Sequence, residues 1–195
     1  MKKKGNCRIG FDFDRVFVSY PPLVPNSIID FLYRHSFSLG FGDSNTLSYR
    51  FPGQLEQRIR ILSHTPILRQ PIKKNLDSLE RISKKIPCDL YLVSSRYSFL
   101  KKRTLRWVSK NQIDRHFKGL YFNYKDLQPH LFKDQVIKKL KLDEFIDDDL
   151  DLTLYLSRKN PSVQFYWINN RKINKPLPEN VKQIKNLKEF EKIKI

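Results

Sequence analysis

Alanine is absent from this chain of 195 residues, and cysteine is nearly so, with only Cys7 and Cys88. Two thiols exclude a disulfide framework; both precede expected neighbouring strands at similar depth, and in a reducing compartment they read as free thiols. No apolar run approaches the ~20 residues that cross a bilayer, so no membrane partner is expected. The basic start, Met1-Lys2-Lys3-Lys4, runs into polar residues rather than an apolar segment, which argues against a secretory signal and for a cytoplasmic location. His35, His64, His116 and His130 have no metal-ligand spacing and read as structural or exposed. Internal repeats and low-complexity tracts are missing as well.

What is present is a globular composition, 39% hydrophobic and 13% aromatic, with a formal charge of +18. The length suits one well-buried core with a small inserted subdomain. Two readings of the charge stand side by side. It marks a nucleic-acid or other polyanionic partner, or it reflects a compositional bias toward Lys, Asn, Ile and Phe acting on every surface. The lysines run from Lys2 to Lys194 rather than in one block.

Residues 8–12 read as a short buried strand ending in Asp12-Phe13-Asp14. Residues 17–72 differ in character, with six prolines, a Gly40-Phe41-Gly42 break and helix-like pieces at 27–33 and 55–62. They read as a lid inserted after the first strand, leaving 1–16 and 73–195 as the core. After Pro71 the pattern becomes regular. The stripe Leu76, Leu79, Ile82 and Ile86 predicts a helix that Pro87 ends. Strands are predicted at 89–93, 119–123, 145–146 and 163–168, with helices at 99–108, 134–140 and 150–157 between them. Val181, Ile184, Leu187, Phe190 and Ile193 suggest one last helical ridge. Strands alternating with helices predict an α/β fold of three layers, a Rossmann-like parallel sheet with helices on both faces. Ligands of such sheets lie beyond the carboxyl ends of the strands.

Asp12, Ser94 and Asp147 each end a predicted strand at that edge, which brings distant residues into one crevice. A carboxylate attacks phosphorus once the phosphate charge is neutralised, and Asp12 fits that role. Asp14, in the following turn, is placed to protonate the leaving oxygen and later to activate water. Asp147 and Asp148, with Asp12, suit a hard cation such as Mg²⁺. Lys133 adds compensating charge, and Ser94 with nearby backbone N–H groups can hold the phosphoryl oxygens. Ser95 and Arg96 follow as candidate substrate contacts. Arg50, Arg58, Arg60 and Arg69 in the lid can read a base, a sugar or a second phosphate, or are solvated faces.

The ordered set Asp12-Phe13-Asp14-Arg15-Val16, Ser94, Lys133 and Asp147-Asp148 resembles the haloacid dehalogenase-like phosphatase superfamily, over residues 8–168. Val16 and the closing acidic pair look most like its 5′-nucleotidase and deoxyribonucleotidase branch. The resemblance implies an aspartyl-phosphate intermediate on Asp12, Asp14 as general acid/base, and Mg²⁺ bound by Asp12, the acidic pair and the Asp14 backbone carbonyl. It also implies a cap at 17–72. Arg15 stands where the family commonly has glycine, so it alters the flap turn or touches substrate. The acidic run continues through Asp149 and Asp151, leaving the register of the metal ligand open by one position.

These readings give a Mg²⁺-dependent phosphomonoesterase acting on a nucleotide or another small phosphorylated substrate. One alternative is a phosphatase for nucleic-acid ends or other polyanionic substrates; another is a non-catalytic polyanion-binding protein with a vestigial site. The sequence sets no oligomeric state.

Overall fold

The structure is a computed structural model and describes residues 7–20, 47, 49–173 and 176–195. Six parallel strands form one sheet in the order β3-β2-β1-β4-β5-β6. They are β1 (Cys7–Phe11), β2 (Cys88–Ser94), β3 (Gly119–Phe122), β4 (Glu144–Asp147), β5 (Gln164–Ile168) and β6 (Val181–Ile184). Among the described residues six helices accompany them: α1 (Gln54–Ser63), α2 (Lys73–Lys85), α3 (Lys101–Lys110), α4 (Pro129–Leu140), α5 (Leu150–Lys159) and α6 (Leu187–Lys194). The chain winds outward from β1 through β2 to β3, then returns beside β1 as β4. The crevice at this reversal, between β1 and β4, is where a doubly wound sheet binds its ligand.

The strands are apolar throughout because both faces are covered. Ile9, Phe11, Leu90, Leu92 and Ile146 pack on one side, against Leu79 and Ile82 of α2, Trp107 of α3 and Phe190 of α6. Tyr91, Val93, Phe145, Phe165 and Trp167 face the other side, against Val136 of α4 and Leu156 of α5. Gly10 of β1 is the register partner of Phe145 on β4. A Cβ there would lie 2.5 Å from Phe145 Cδ2 and 2.6 Å from Leu142 Cδ1, so only glycine lets the ring rest on the strand.

Within the described residues the predicted strands and helices are present, with three differences. The last ridge is not one helix: residues 181–184 are strand β6, and α6 begins after Asn186, whose side chain accepts the Glu189 N–H. Val181 and Ile184, three apart, imitate helical spacing because they serve opposite faces of the sheet, one in each core cluster. Helix α4 starts earlier than predicted, with Pro129 in its first turn, so Lys133 lies inside the helix rather than ahead of it. In α1, Leu55, Ile59 and Leu62 are 72%, 53% and 65% exposed, while Arg60 is turned inward.

The helical piece expected at 27–33 lies outside the described residues. Phe17 and Val18, read as the start of the lid, are fully buried in the core. The ends of the intervening segment are tied together, the Ser19 N–H donating to the Gln70 carbonyl and the Ile72 N–H to that of Phe17, both at 2.8 Å. Cys7 and Cys88 are register partners on β1 and β2 and are free thiols. Burial, then the neighbouring thiol, pushes Cys7 up to about 12. Among the described residues no helix is long and apolar enough to cross a membrane.

Candidate active site

Asp12 is the first residue past β1, and its N–H donates to the Ile146 carbonyl of β4 at 2.8 Å. This bond carries the strand register one step beyond the ladder and sets Asp12 beside Asp147. Lys133 reaches both from α4, its Nζ 2.8 Å from Asp12 Oδ1 and 2.7 Å from Asp147 Oδ2. All three side chains are almost fully buried. Asp148 completes the group: one carboxylate oxygen from each of Asp12, Asp147 and Asp148 lies within 4.8 Å of the others.

Two buried carboxylates and the half-buried Asp148 face one ammonium. Burial first, then Asp147 and Asp12, pushes the Asp148 carboxyl well above its ordinary range, against the pull of Arg15. Burial likewise raises Asp12 and Asp147 despite Lys133. Burial alone would lower Lys133; Asp12 and Asp147 outweigh it and hold its ammonium charged. Crowded, largely buried, all-oxygen donors of this kind fit a hard divalent cation, whose charge relieves their mutual repulsion. Asp149 is not part of the trio. It caps α5, accepting from the N–H groups of Asp151 and Leu152, and its carboxylate is engaged there.

Asp14 points elsewhere. Arg96 grips it with two parallel bonds, Nε to Oδ2 at 2.7 Å and Nη2 to Oδ1 at 2.6 Å, and Arg69 Nη2 stands 3.5 Å away. Burial would raise the carboxyl, but Arg96 and then Arg69 hold it well below the usual range. In this arrangement Asp14 is an anion, and a part in proton transfer calls for the Arg96 fork to open. Its side chain is also outside the carboxylate trio.

His64 supports the arginines from behind. Its Nε2 lies 2.6 Å from Arg69 Nη2, which can only donate, so Nδ1 carries the proton and gives it to the Arg60 carbonyl at 2.6 Å. Burial first, then Arg96 and Arg69, keeps the ring neutral, far below its ordinary pKa of 6.5. A histidine depressed in the folded state favours the folded form above the unfolded pKa and loses that contribution as pH falls. With Mg²⁺ saturating, the stability of wild type minus that of His64→Gln should therefore fall by about 1.4 kcal/mol per pH unit below 6.5. Denaturant titrations at several pH values check this; a flat difference would mean that the ring is charged.

The cavity over these groups has a volume of ≈ 160 Å³. Asp12, Asp14, Arg15, Ser95, Arg96, Lys133 and the acidic pair all line it, so most of the residues expected at the site come together. Ser94 is the exception. It is buried under the floor, where its Oγ accepts the Arg96 N–H at 3.4 Å, and the neighbouring Ser95 faces the cavity. Successive residues at a strand end point to opposite sides, so an offset of one exchanges the two hydroxyls. Arg15 takes a left-handed backbone, φ 56°, at the position where glycine is usual. Its guanidinium lies 3.4 Å from Asp148 and 5.0 Å over the Tyr20 ring.

Arg50, Arg60 and Arg69 from the inserted segment line the cavity, and Arg58 does not. Sequence reasoning missed Tyr49 and set His64 aside. Gln128 holds Tyr49 through both backbone groups, and burial, then Asp149, raises its hydroxyl pKa against the pull of Lys133. Neither residue has a local signal, because their partners come from other parts of the chain.

No protein-family model and no curated protein matches this chain. Solved structures do. A dehalogenase with an intermediate complex superposes with TM-score 0.64 at 11% identity, covering 96% of each chain. A haloacid dehalogenase-like family hydrolase from Xanthomonas campestris gives 0.59 at 12%, over 96% of this chain and 94% of its own. A family enzyme from Bacteroides thetaiotaomicron, an Asp-to-Ala mutant in complex with magnesium and inorganic phosphate, gives 0.51 at 14%, over 87% and 97%. Sheet order, the reversal beside β1 and these superpositions agree: this chain has the haloacid dehalogenase-like fold.

Proposed function

We propose that this protein is a Mg²⁺-dependent phosphomonoester hydrolase that works through a phosphorylated Asp12. The observation that carries this reading is the trio of Asp12, Asp147 and Asp148 at the β1–β4 reversal, with Lys133 bridging its two buried members. A cation site of this kind suits an anionic ester better than a neutral carbon–halogen bond.

Asp12 attacks phosphorus; its bond to phosphorus forms as the ester P–O bond breaks, and the departing oxygen takes a proton. Water then cleaves the acyl phosphate, restoring the carboxylate and releasing phosphate. Magnesium, when bound, supplies positive charge against the phosphoryl oxygens. Lys133 orients Asp12 and opposes its protonation, and Ser95, rather than Ser94, offers its hydroxyl to the phosphoryl group. Asp14 is assigned to proton transfer, which it performs once Arg96 exchanges the carboxylate for a substrate oxygen. The segment over residues 17–72 is assigned as the cap, its described part lending Tyr49, Arg50, Arg60, His64 and Arg69 to the cavity wall.

The test is hydrolysis of p-nitrophenyl phosphate with Mg²⁺ and its loss in EDTA, together with a hydroxylamine-labile phosphoprotein after acid quench. No turnover of any phosphomonoester by metal-loaded protein would overturn the reading. Binding of the cation should also show in stability. At a Mg²⁺ concentration 100 times its Kd the gain is about 2.7 kcal/mol, or a Tm rise of roughly 5–10 °C. EDTA should reverse that shift and Asp148→Asn should shrink it, as followed by thermal melts.

A further inference from the structure

A second depression adjoins the catalytic cavity. It is lined by Ile61 of α1, Phe99 of the 3₁₀ turn Ser98–Leu100, and Lys102, Arg103 and Arg106 of α3. The two are neighbours: Arg60 and Leu100 line the cavity, and their chain neighbours Ile61 and Phe99 line the groove. Helix α3 carries five cations in ten residues, Lys101, Lys102, Arg103, Arg106 and Lys110, and no carboxylate. Arg58 adds another on α1, three residues before Ile61.

Several charges elsewhere on the fold are matched. Lys84 pairs with Glu80, Lys118 with Asp89, Lys138 with Asp134 and Arg81 with Glu191. Among the described residues none of the α3 cations has a carboxylate partner; Lys101 lies instead 4.6 Å over the Tyr124 ring. A bias that spreads lysine over every surface does not explain a face where only one sign is present.

Aromatic rings stand at the junction of the two depressions. Phe51, 45% exposed, meets Tyr97 at 4.9 Å and Phe99 at 6.3 Å. Tyr97 belongs to the cavity wall and Phe99 to the groove, their rings stacked at 6.1 Å. Lys102, Arg106 and Lys110 recur every fourth residue, about 6 Å apart along the helix, a spacing of the order of that between phosphates on an extended strand. Unpaired cations beside the exposed Phe51 ring and the half-buried Phe99 are the combination that holds single-stranded nucleic acid, with phosphates on the charges and bases on the rings. A phosphoprotein or an anionic membrane would use the charge and leave the rings idle.

We propose that the substrate is the phosphorylated end of a single-stranded nucleic acid, its terminal phosphate in the Asp12 cavity and its next nucleotides along the groove between α1 and α3. This rests on the phosphohydrolase reading above for what happens to the phosphate, but not for the binding. The test uses the full-length Asp12→Asn protein and a fluorescent, terminally phosphorylated single strand of about 12 nucleotides, followed by anisotropy against salt. Three contacted phosphates give a log–log slope of about −2. Lys102→Gln, Arg103→Gln and Arg106→Gln together should weaken binding at least ~10-fold and bring the slope close to zero. Removing three cations elsewhere, with Lys182→Gln, Lys188→Gln and Lys192→Gln, should leave the slope in place.

Phe99→Ala should weaken binding of the single strand, and the matching duplex should bind less tightly than the strand alone. The proposal falls if the strand does not bind, if both triple variants lose affinity equally, or if the duplex binds as well. Wild-type hydrolysis of p-nitrophenyl phosphate separates the two claims. Hydrolysis without strand binding removes the groove alone, and strand binding without hydrolysis removes the phosphatase.

Discussion

Asp12→Asn should lower hydrolysis of p-nitrophenyl phosphate by about 10⁴-fold or more, with the protein still folded. The amide has nearly the shape of the carboxylate, but its oxygen is a far weaker nucleophile and cannot form the acyl phosphate. Folding should survive because Lys133 keeps Asp147 at 2.7 Å, and one charge leaves a crowded set of acids. The melting temperature should stay within a few degrees of wild type. Steady-state kinetics with saturating Mg²⁺ decide the matter: activity within tenfold of wild type would mean that another group attacks phosphorus.

Lys133→Met should do the opposite to stability. Methionine fills similar space, but it leaves Asp12, Asp147 and Asp148 together with Arg15, 3.4 Å from Asp148, as the nearby cation. Removing one side of a buried ion pair costs about 3–5 kcal/mol, a drop in Tm of roughly 10 °C in a chain of this size. The sign of the pH effect follows. Carboxyls raised in the folded state take up protons before the unfolded chain does, so the metal-free variant should regain stability as pH falls from 7 toward 5. Magnesium should rescue the variant by more degrees than it stabilises wild type. An unchanged Tm without metal would show that the three carboxylates do not need the ammonium.

How much of this was legible in the sequence depends on how local each signal is. Strands β1, β2 and β4 are short apolar runs ending in Asp or Ser, and those ends mark the ligand edge of a parallel sheet. The acidic run divides only in the structure, where Asp149 caps α5 and Asp147 and Asp148 stand with Asp12. Ser94 and Ser95 differ by one position, and only the pleat decides which of them faces the cavity. The state of Asp14 was illegible, because Arg69 and Arg96 reach it from distant segments. Val181 and Ile184 misled because a strand covered on both sides carries no alternation. In α1 the apolar stripe pointed to the wrong side: the helix turns Arg60 inward and leaves the leucines to the surface.

Gly10 lies two residues before Asp12, and its register partner Phe145 lies two before Asp147. The separation of the two carboxylates is thus inherited from a phenyl ring resting on bare backbone two positions beneath them. Any side chain at Gly10 would displace the Phe145 ring and so disturb the acidic jaws without touching a residue of the reaction. The jaws' gauge is set by an atom that is missing, deep in the oily part of the molecule.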